Sequence, residues 1–216
     1  MRLAVFDCDG TLVDGQASIC EAMELAFAEH DLPLPDRTAI RRAVGLSLPV
    51  AARALLPDAD GALHAAIAEA YKRHFRAARE EGRLSQALFP GITQLLDTLR
   101  AAGWELGVAT GMSDRGLTHC LATHGLSNHF VTLQTADRHP SKPHPAMLEA
   151  ALVEAGAQAG EAVMIGDTQF DMQMAAALNV RAIGVSWGYH APAELRAAGA
   201  ERVVSTPAEL GEHLLA

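Results

Sequence analysis

The segment Val5-Phe6-Asp7-Cys8-Asp9-Gly10-Thr11-Leu12-Val13-Asp14 decides how this chain is read. A short apolar run, residues 3–6, is followed by two carboxylates two residues apart and then by Gly-Thr. The run reads as a buried parallel strand, and Asp7 and Asp9 emerge at its carboxyl end, where open α/β sheets place their ligand crevice. Two acids so close repel each other. The crowding is tolerable where a divalent cation neutralises one and the other holds a proton, and those are also the conditions for splitting an inert anionic ester. A plain strand end running into an acidic Asp-Gly turn fits the same ten residues, so the decision passes to the rest of the chain.

Downstream the pattern is helical. Residues 17–30 carry Ile19, Met23 and Phe27 at helical spacing and stop at Asp31-Leu32-Pro33. The spacing predicts further helices over 38–44, 47–56 and 59–79, punctuated by Gly45, Pro57-Asp58 and Gly82. From residue 92 the pattern alternates, with helices over 92–101, 115–124, 146–155, 171–178 and 193–198. Strands fall between them over 105–109, 130–133, 162–165, 182–185 and 202–204. Strands alternating with helices make βαβ units and hence a parallel sheet covered on both faces. The expected fold is α/β: a Rossmann-like parallel sheet core with helices on both faces, formed by residues 1–14 and 84–216. A small all-helical cap domain, residues 15–83, is inserted after the first strand, with Gly15 and Gly82 available as hinges.

The 216 residues suffice for one sizeable core and a small satellite domain. Half of them are hydrophobic, and only two are Trp and two Tyr, which suits a helix-rich globular protein and not a disordered one. A formal net charge of -9 argues against binding to nucleic acid, so any anionic ligand must meet local positive charge. The three cysteines, Cys8, Cys20 and Cys120, show no CxxC spacing and read as reduced thiols. The start of the chain does not read as a signal peptide, and no stretch approaches about 18 apolar residues. A cytoplasmic monomer or homodimer without membrane partners is the expectation.

Three more strand ends join the first. Thr110-Gly111 closes the strand over 105–109, and a hydroxyl followed by a flexible residue opening a helix suits a phosphate held partly by backbone N–H groups; an ordinary N-cap at Ser113 fits equally. Ser141-Lys142-Pro143 precedes a helix, and Lys142 is one of only two lysines, against fifteen arginines. The strand over 162–165 runs into Gly166-Asp167-Thr168-Gln169-Phe170-Asp171, again two acids after an apolar run. Each group has a task in phosphoryl transfer. A carboxylate attacks phosphorus and forms an aspartyl-phosphate, while a cation and an ammonium offset the repulsion between two anions. A second acid, raised in pKa by its neighbour, protonates the leaving alkoxide and later takes a proton from water. Oxygen-only ligation favours Mg²⁺.

In that order and at those strand ends, DxDGT, Thr110-Gly111, Lys142-Pro143 and Gly166-Asp167-x-x-x-Asp171 resemble the haloacid dehalogenase superfamily of phosphohydrolases, over nearly the whole chain. The helical insert is similar to the subfamily capped at that place. The segments around Thr110-Gly111-Met112-Ser113, Lys142-Pro143-His144-Pro145 and Trp187-Gly188-Tyr189 resemble its phosphoglycolate-phosphatase-like branch. The resemblance implies a hydrolase acting on a small phosphorylated metabolite. Asp7 is then the nucleophile and a metal ligand. Asp9 is the acid/base and lends its backbone carbonyl to Mg²⁺. Thr110 and Gly111 hold the phosphoryl group, Lys142 pairs with nucleophile and phosphate, Asp167 binds the metal, and Asp171 orients Lys142 or a metal-bound water. Met112 departs from the polar or basic residue common at that place in the branch.

Arg41 and Arg42 precede Val44-Gly45-Leu46-Ser47, which resembles the cap loop dipping over substrate, and they are candidates for a substrate carboxylate; a solvated helix end is the alternative. Strand alternation turns Cys8 away from its acidic neighbours into the core. Trp187-Gly188-Tyr189-His190 fits either the site mouth or an ordinary loop, and the histidines lack metal-ligand spacing. A sugar-phosphate phosphomutase built from the same parts is the nearest rival, and a non-catalytic phosphate-binding module the one from another class. A dehalogenase needs no acid where Asp9 stands. A phosphonate hydrolase needs a cap lysine, and only Lys72, mid-helix, is present.

Overall fold

The structure, a computed structural model, describes residues 1–216. Its chain order is β1 (Arg2–Phe6), β2 (Val13–Asp14), α1 (Gln16–Glu29), α2 (Arg37–Ala43), α3 (Leu48–Leu55), α4 (Gly61–Glu80), β3 (Ala87–Leu88), α5 (Ile92–Ala101) and β4 (Trp104–Thr110). There follow α6 (Asp114–Thr123), β5 (Thr132–Thr135), α7 (Ala146–Ala155), β6 (Ala162–Gly166), α8 (Gln169–Ala176), β7 (Arg181–Val185), α9 (Pro192–Ala197), β8 (Arg202–Val204) and α10 (Pro207–Leu215). Six strands form one sheet in the order β5-β4-β1-β6-β7-β8, every neighbouring pair parallel. The chain builds outward from β1 to β4 and β5 on one side and to β6, β7 and β8 on the other. The order therefore reverses at β1, and a crevice opens there at the carboxyl ends of the strands.

The period of two along β1 divides the core between the faces. Ala4 and Phe6 join Leu95, Leu96 and Leu99 of α5, Leu117 and Leu121 of α6 and Leu210 of α10 on one face. Leu3 and Val5 join Met147 and Leu148 of α7, Met172 and Ala175 of α8 and Leu195 of α9 on the other. A strand buried on both sides has to be apolar throughout, which is why residues 3–6 carry no polar side chain. The four helices α1 to α4 enclose a third cluster, with Ile19, Met23, Phe27, Ile40, Ile67 and Tyr71 among its members. Asp36 and Asp60 cap α2 and α4, accepting from Thr38 N and Ala39 N and from Leu63 N.

Three features depart from the sequence reading. Between β1 and the helices, β2 pairs with β3 as an antiparallel ribbon, Val13 opposite Leu88 and Asp14 opposite Ala87, so the two connections to the helical block are hydrogen-bonded to each other. At two residues each, these strands are too short to carry a pattern. The strand expected over 130–133 forms over Thr132–Thr135 instead, because its buried polar side chains are paired: Thr132 Oγ1 and Gln134 Nε2 donate to Glu154, and Thr135 Oγ1 donates to Asp114. Val131, read as strand, is 48% exposed. The last helix, α10, capped by Thr206, was not expected; its Leu210 and Leu214 close the core beside α5.

No helix is long and apolar enough to cross a membrane. Leu96→Ala, which empties a fully buried position under the sheet, should lower stability by about 2–5 kcal/mol, whereas Val153→Ala, at a position 77% exposed, should change it little. Urea unfolding of the two variants checks the assignment, and equal effects would misplace α5.

Candidate active site

Four strand ends meet at the crevice. Asp7 follows β1, Thr110 ends β4, Lys142 lies on the loop between β5 and α7, and Asp167 follows β6. Asp7, Thr110, Lys142, Asp167 and Asp171 are all buried. Lys142 Nζ stands 3.1 Å from Asp7 Oδ2 and 2.6 Å from Asp171 Oδ1, so one ammonium bridges two carboxylates. Asp171, in the first turn of α8, takes the N–H and hydroxyl of Thr168 on its other oxygen, at 3.1 and 2.7 Å. Asp7 Oδ1 accepts from Cys8 N at 2.6 Å, while Oδ2 receives no hydrogen bond.

Asp167 is held at both oxygens: Thr11 Oγ1 donates to Oδ1 at 2.8 Å and Tyr189 N to Oδ2 at 2.9 Å. The Trp187–His190 segment thus serves the site by gripping Asp167, and Trp187 Nε1 reaches back to the Thr11 carbonyl. The close quarters demand glycine. A Cβ on Gly10, whose φ is +85°, or on Gly188 would overlap the Asp167 carboxylate. Cys8 turns into the core as expected, its Sγ 3.9 Å from Cys120 Sγ.

Oxygens of Asp7, Asp167 and Asp171 lie within 4.8 Å of one another, an arrangement that could hold a metal ion. Asp171 takes three donors from Lys142 and Thr168 and Asp167 one on each oxygen, so Asp7 Oδ2 is the carboxylate oxygen of the three residues that accepts no hydrogen bond. Burial drives Asp7 up to about 7, against the pull of Lys142 and with a push from Asp171. Burial and the two neighbouring carboxylates also hold Asp167 well above the ordinary range. Burial opposes the charge on Lys142, but Asp171 and Asp7 outweigh it and hold the ammonium protonated. Half-buried Asp9 rises to about 6 through burial, although Gln86 and Lys142 favour its ionised form. Gly15 leaves room for it, since a Cβ there would lie 2.7 Å from Asp9 Oδ1. Close approach to Asp9 is thus one requirement for glycine at this position.

A cavity of about 330 Å³ opens above Asp7 and Asp9 between the sheet and the helical block, with Thr110, Gly111 and Met112 in its wall. Thr110 Oγ1 accepts from Met112 N at 3.3 Å, and Ser113 caps α6, so the N-cap weighed for this turn is present. The 44–47 loop closes down here. A Cβ on Gly111 would lie 2.7 Å from the Leu46 carbonyl, and Ser47 N donates to Ser141 Oγ at 2.8 Å.

Arg41 and Arg42 require correction: they do not enter this cavity. Arg41 bonds Gln16 and Thr38, and Arg42 pairs with Glu194 of α9. Both line a separate polar cleft with Trp187 and Tyr189, because α2 presents them on the side facing α9, away from Thr110. The basic groups that do border the cavity are Lys72, named in the sequence only as the one lysine of the cap, and Arg76 and Arg79 of α4 and Arg115 of α6, which the sequence reading did not single out.

The model of the family described as haloacid dehalogenase-like hydrolase matches residues 4–185, from β1 through β7. The chain belongs to that family. Among curated relatives, a "probable phosphatase IndB" of Dickeya dadantii is 37% identical over 96% of this chain and 91% of its own length. A phosphoglycolate phosphatase of Pseudomonas syringae is 31% identical over 88% of this chain and 71% of its own. The crystal structure of a "predicted phosphatase" from Clostridium acetobutylicum superposes with a TM-score of 0.90 at 25% identity, covering 99% of this chain and 98% of that one. This haloacid dehalogenase-like protein is therefore a hydrolase by family, with its acids gathered at the sheet's switch point.

Folding favours the protonated form of Asp7, since its pKa near 7 lies above the ordinary 3.8. The stability it contributes is present below about pH 4 and is lost as pH rises through 7. Lys142→Met removes the one cation that lowers this pKa. The variant should lose about 3–5 kcal/mol at pH 8, where the buried acids are left ionised without a partner. At pH 5, where Asp7 is protonated, the loss should be smaller. Urea unfolding without divalent cations checks this; equal losses at both pH values would assign Lys142 to packing alone.

Proposed function

We propose that this protein is a Mg²⁺-dependent phosphomonoesterase that hydrolyses a small phosphorylated metabolite with a phosphoglycolate-like, acidic leaving group through an aspartyl-phosphate on Asp7. The observation that carries the reading is Asp7 Oδ2: it borders the cavity, accepts no hydrogen bond and has the Lys142 ammonium 3.1 Å away. A carboxylate oxygen without a donor is free to attack, and the adjacent cation offsets the charge of an incoming phosphate. The names of the relatives support the same chemistry.

In this mechanism Asp7 Oδ2 attacks phosphorus as the ester bond breaks. Thr110 and Gly111 hold the phosphoryl oxygens, and Lys142 pairs with the nucleophile and the transferring group. Asp9, with a pKa near 6, gives its proton to the leaving alkoxide and then takes one from the water that releases phosphate and restores Asp7. Asp171 keeps Lys142 in place. The donors fit a hard divalent cation: they are all oxygen, they lie within 4.8 Å of one another, and glycines leave room at Asp167. Asp7 and Asp167, with the Asp9 carbonyl, would hold Mg²⁺, whose charge offsets that of acids and phosphate. Residues 15–83 act as the cap and residues 1–14 with 84–216 as the catalytic core. Docking of Gly45, Leu46 and Ser47 against Gly111 and Ser141 supports that division.

Turnover of p-nitrophenyl phosphate should require Mg²⁺, stop with a chelator and return with added metal. Asp7→Asn should abolish turnover, and trapping of ³²P on the wild-type protein but not on this variant would place the intermediate. Full activity in excess chelator, or in Asp7→Asn, would overturn the reading, and labelled protein that releases no phosphate to water would identify a mutase.

Asp9→Asn should slow alkyl phosphates by roughly 10²–10⁴-fold, and aryl phosphates with good leaving groups much less. Equal losses on the two ester classes would remove Asp9 from the acid role.

A further inference from the structure

The cavity above Asp7 is walled in good part by apolar side chains, which a two-carbon acid ester does not require. Its 330 Å³ falls at the lower end of the roughly 300–1,000 Å³ of small-molecule sites. Its walls include Ile19, Met23, Leu48 and the rings of Tyr71 and Phe75, which stack at 5.5 Å between centroids. Such walls favour an apolar body and give nothing to a bare carboxylate.

Besides Asp7 and Asp9, charge enters through four basic side chains and Asp137. Lys72, Arg76 and Arg79 occupy positions i, i+4 and i+7 of α4 and so lie on one face, while Arg115 comes from α6 of the core. Lys72 is paired with Glu69, but Arg76, Arg79 and Arg115 have no carboxylate within 4 Å. Neighbouring arginines that do not border the cavity are paired: Arg73 with Glu29, Arg83 with Glu21 and Glu81. The only acid of the lining besides Asp7 and Asp9 is Asp137, which already accepts the Asp114 N–H. In a chain of net charge -9, three unpaired guanidiniums at one opening leave positive charge that an anion would satisfy.

We propose that the leaving group is an apolar ring or short chain carrying a second anion, seated against Tyr71 and Phe75 and held at its far end by Arg76 and Arg79 of α4 together with Arg115 of α6. The inference rests on the phosphatase reading and names the substrate class of that site. An anion held between α4 and α6 also ties the helical block to the sheet domain, so the correct leaving group favours the closed state.

The test compares 4-carboxyphenyl phosphate with 4-carbamoylphenyl phosphate, which share shape and differ in the distal charge. Wild-type protein with Mg²⁺ should prefer the carboxylate in kcat/KM by about tenfold or more, chiefly through KM. The double variant Arg76→Gln/Arg115→Gln, both exposed positions with folding checked by thermal melting, should bring the ratio of the two esters toward unity. Phosphoglycolate, with the anion but no body, should be a poorer substrate than 4-carboxyphenyl phosphate. No preference in the wild type, or a variant that slows both esters equally, would overturn the anion subsite while leaving the phosphatase reading intact. Failure to hydrolyse any ester would overturn that reading instead. Calorimetric binding of the two esters to the same protein would then decide the subsite, with equal affinities counting against it.

Discussion

One ammonium placed between two buried carboxylates holds the site together. Asp7, Asp167 and Asp171 crowd within 4.8 Å of one another under full burial, and Lys142 is the only cation in contact with them. A buried ion pair contributes little net stability, but an acid left without its partner is costly, and so the surroundings are specified in detail. Thr168 doubles as the cap of α8 and a donor to Asp171, letting the start of one helix position the lysine's partner. Gly10, Gly166 and Gly188 exist where any Cβ would strike Asp167 or Asp171. Asp7 and Asp167 stay raised even so. Three carboxylates thus face one ammonium, which leaves an excess of negative charge at the site.

The parts readable in sequence are those where one physical requirement acts on consecutive residues. A strand covered on both faces must be apolar at every position, and residues 3–6 and 162–165 announce it. The acids that follow such strands stand at a predictable end of the sheet. Where burial was bought with side-chain hydrogen bonds, as in Thr132–Thr135, the hydrophobic signal vanished and the strand was displaced by two residues. The β2–β3 ribbon depends on residues more than seventy apart in the chain, and no local pattern reports it. Arg41 and Arg42 failed for another reason: position just before a loop gave their neighbourhood, but the face of α2 that points to the cavity is set by packing against α1 and α3, which becomes visible only in three dimensions.

The helical block is fastened to the core at several unrelated points. The ribbon joins its two connections, Ser47 bonds Ser141, Arg42 pairs with Glu194, and His190 meets the Arg42 carbonyl at 3.2 Å. Gly111 carries no side chain because the carbonyls of Gly45 and Leu46 rest against it. Such contacts confine the cavity over Asp7. They are also few, mostly polar and placed on loops, the kind of interface that can open and reclose at small cost.

Selection and chemistry are thereby drawn from different parts of the fold. The groups proposed to react sit at the ends of β1, β4 and β6 and on the loop before α7, where the parallel sheet sets their spacing. The groups that would distinguish one leaving group from another come from α1, α3, α4 and α6, whose faces pack across a gap and whose charged side chains end in solvent. A change in Arg76 or Phe75 alters the cavity without touching the balance around Lys142, whereas a change in Thr168 or Gly188 disturbs the acids whatever the substrate.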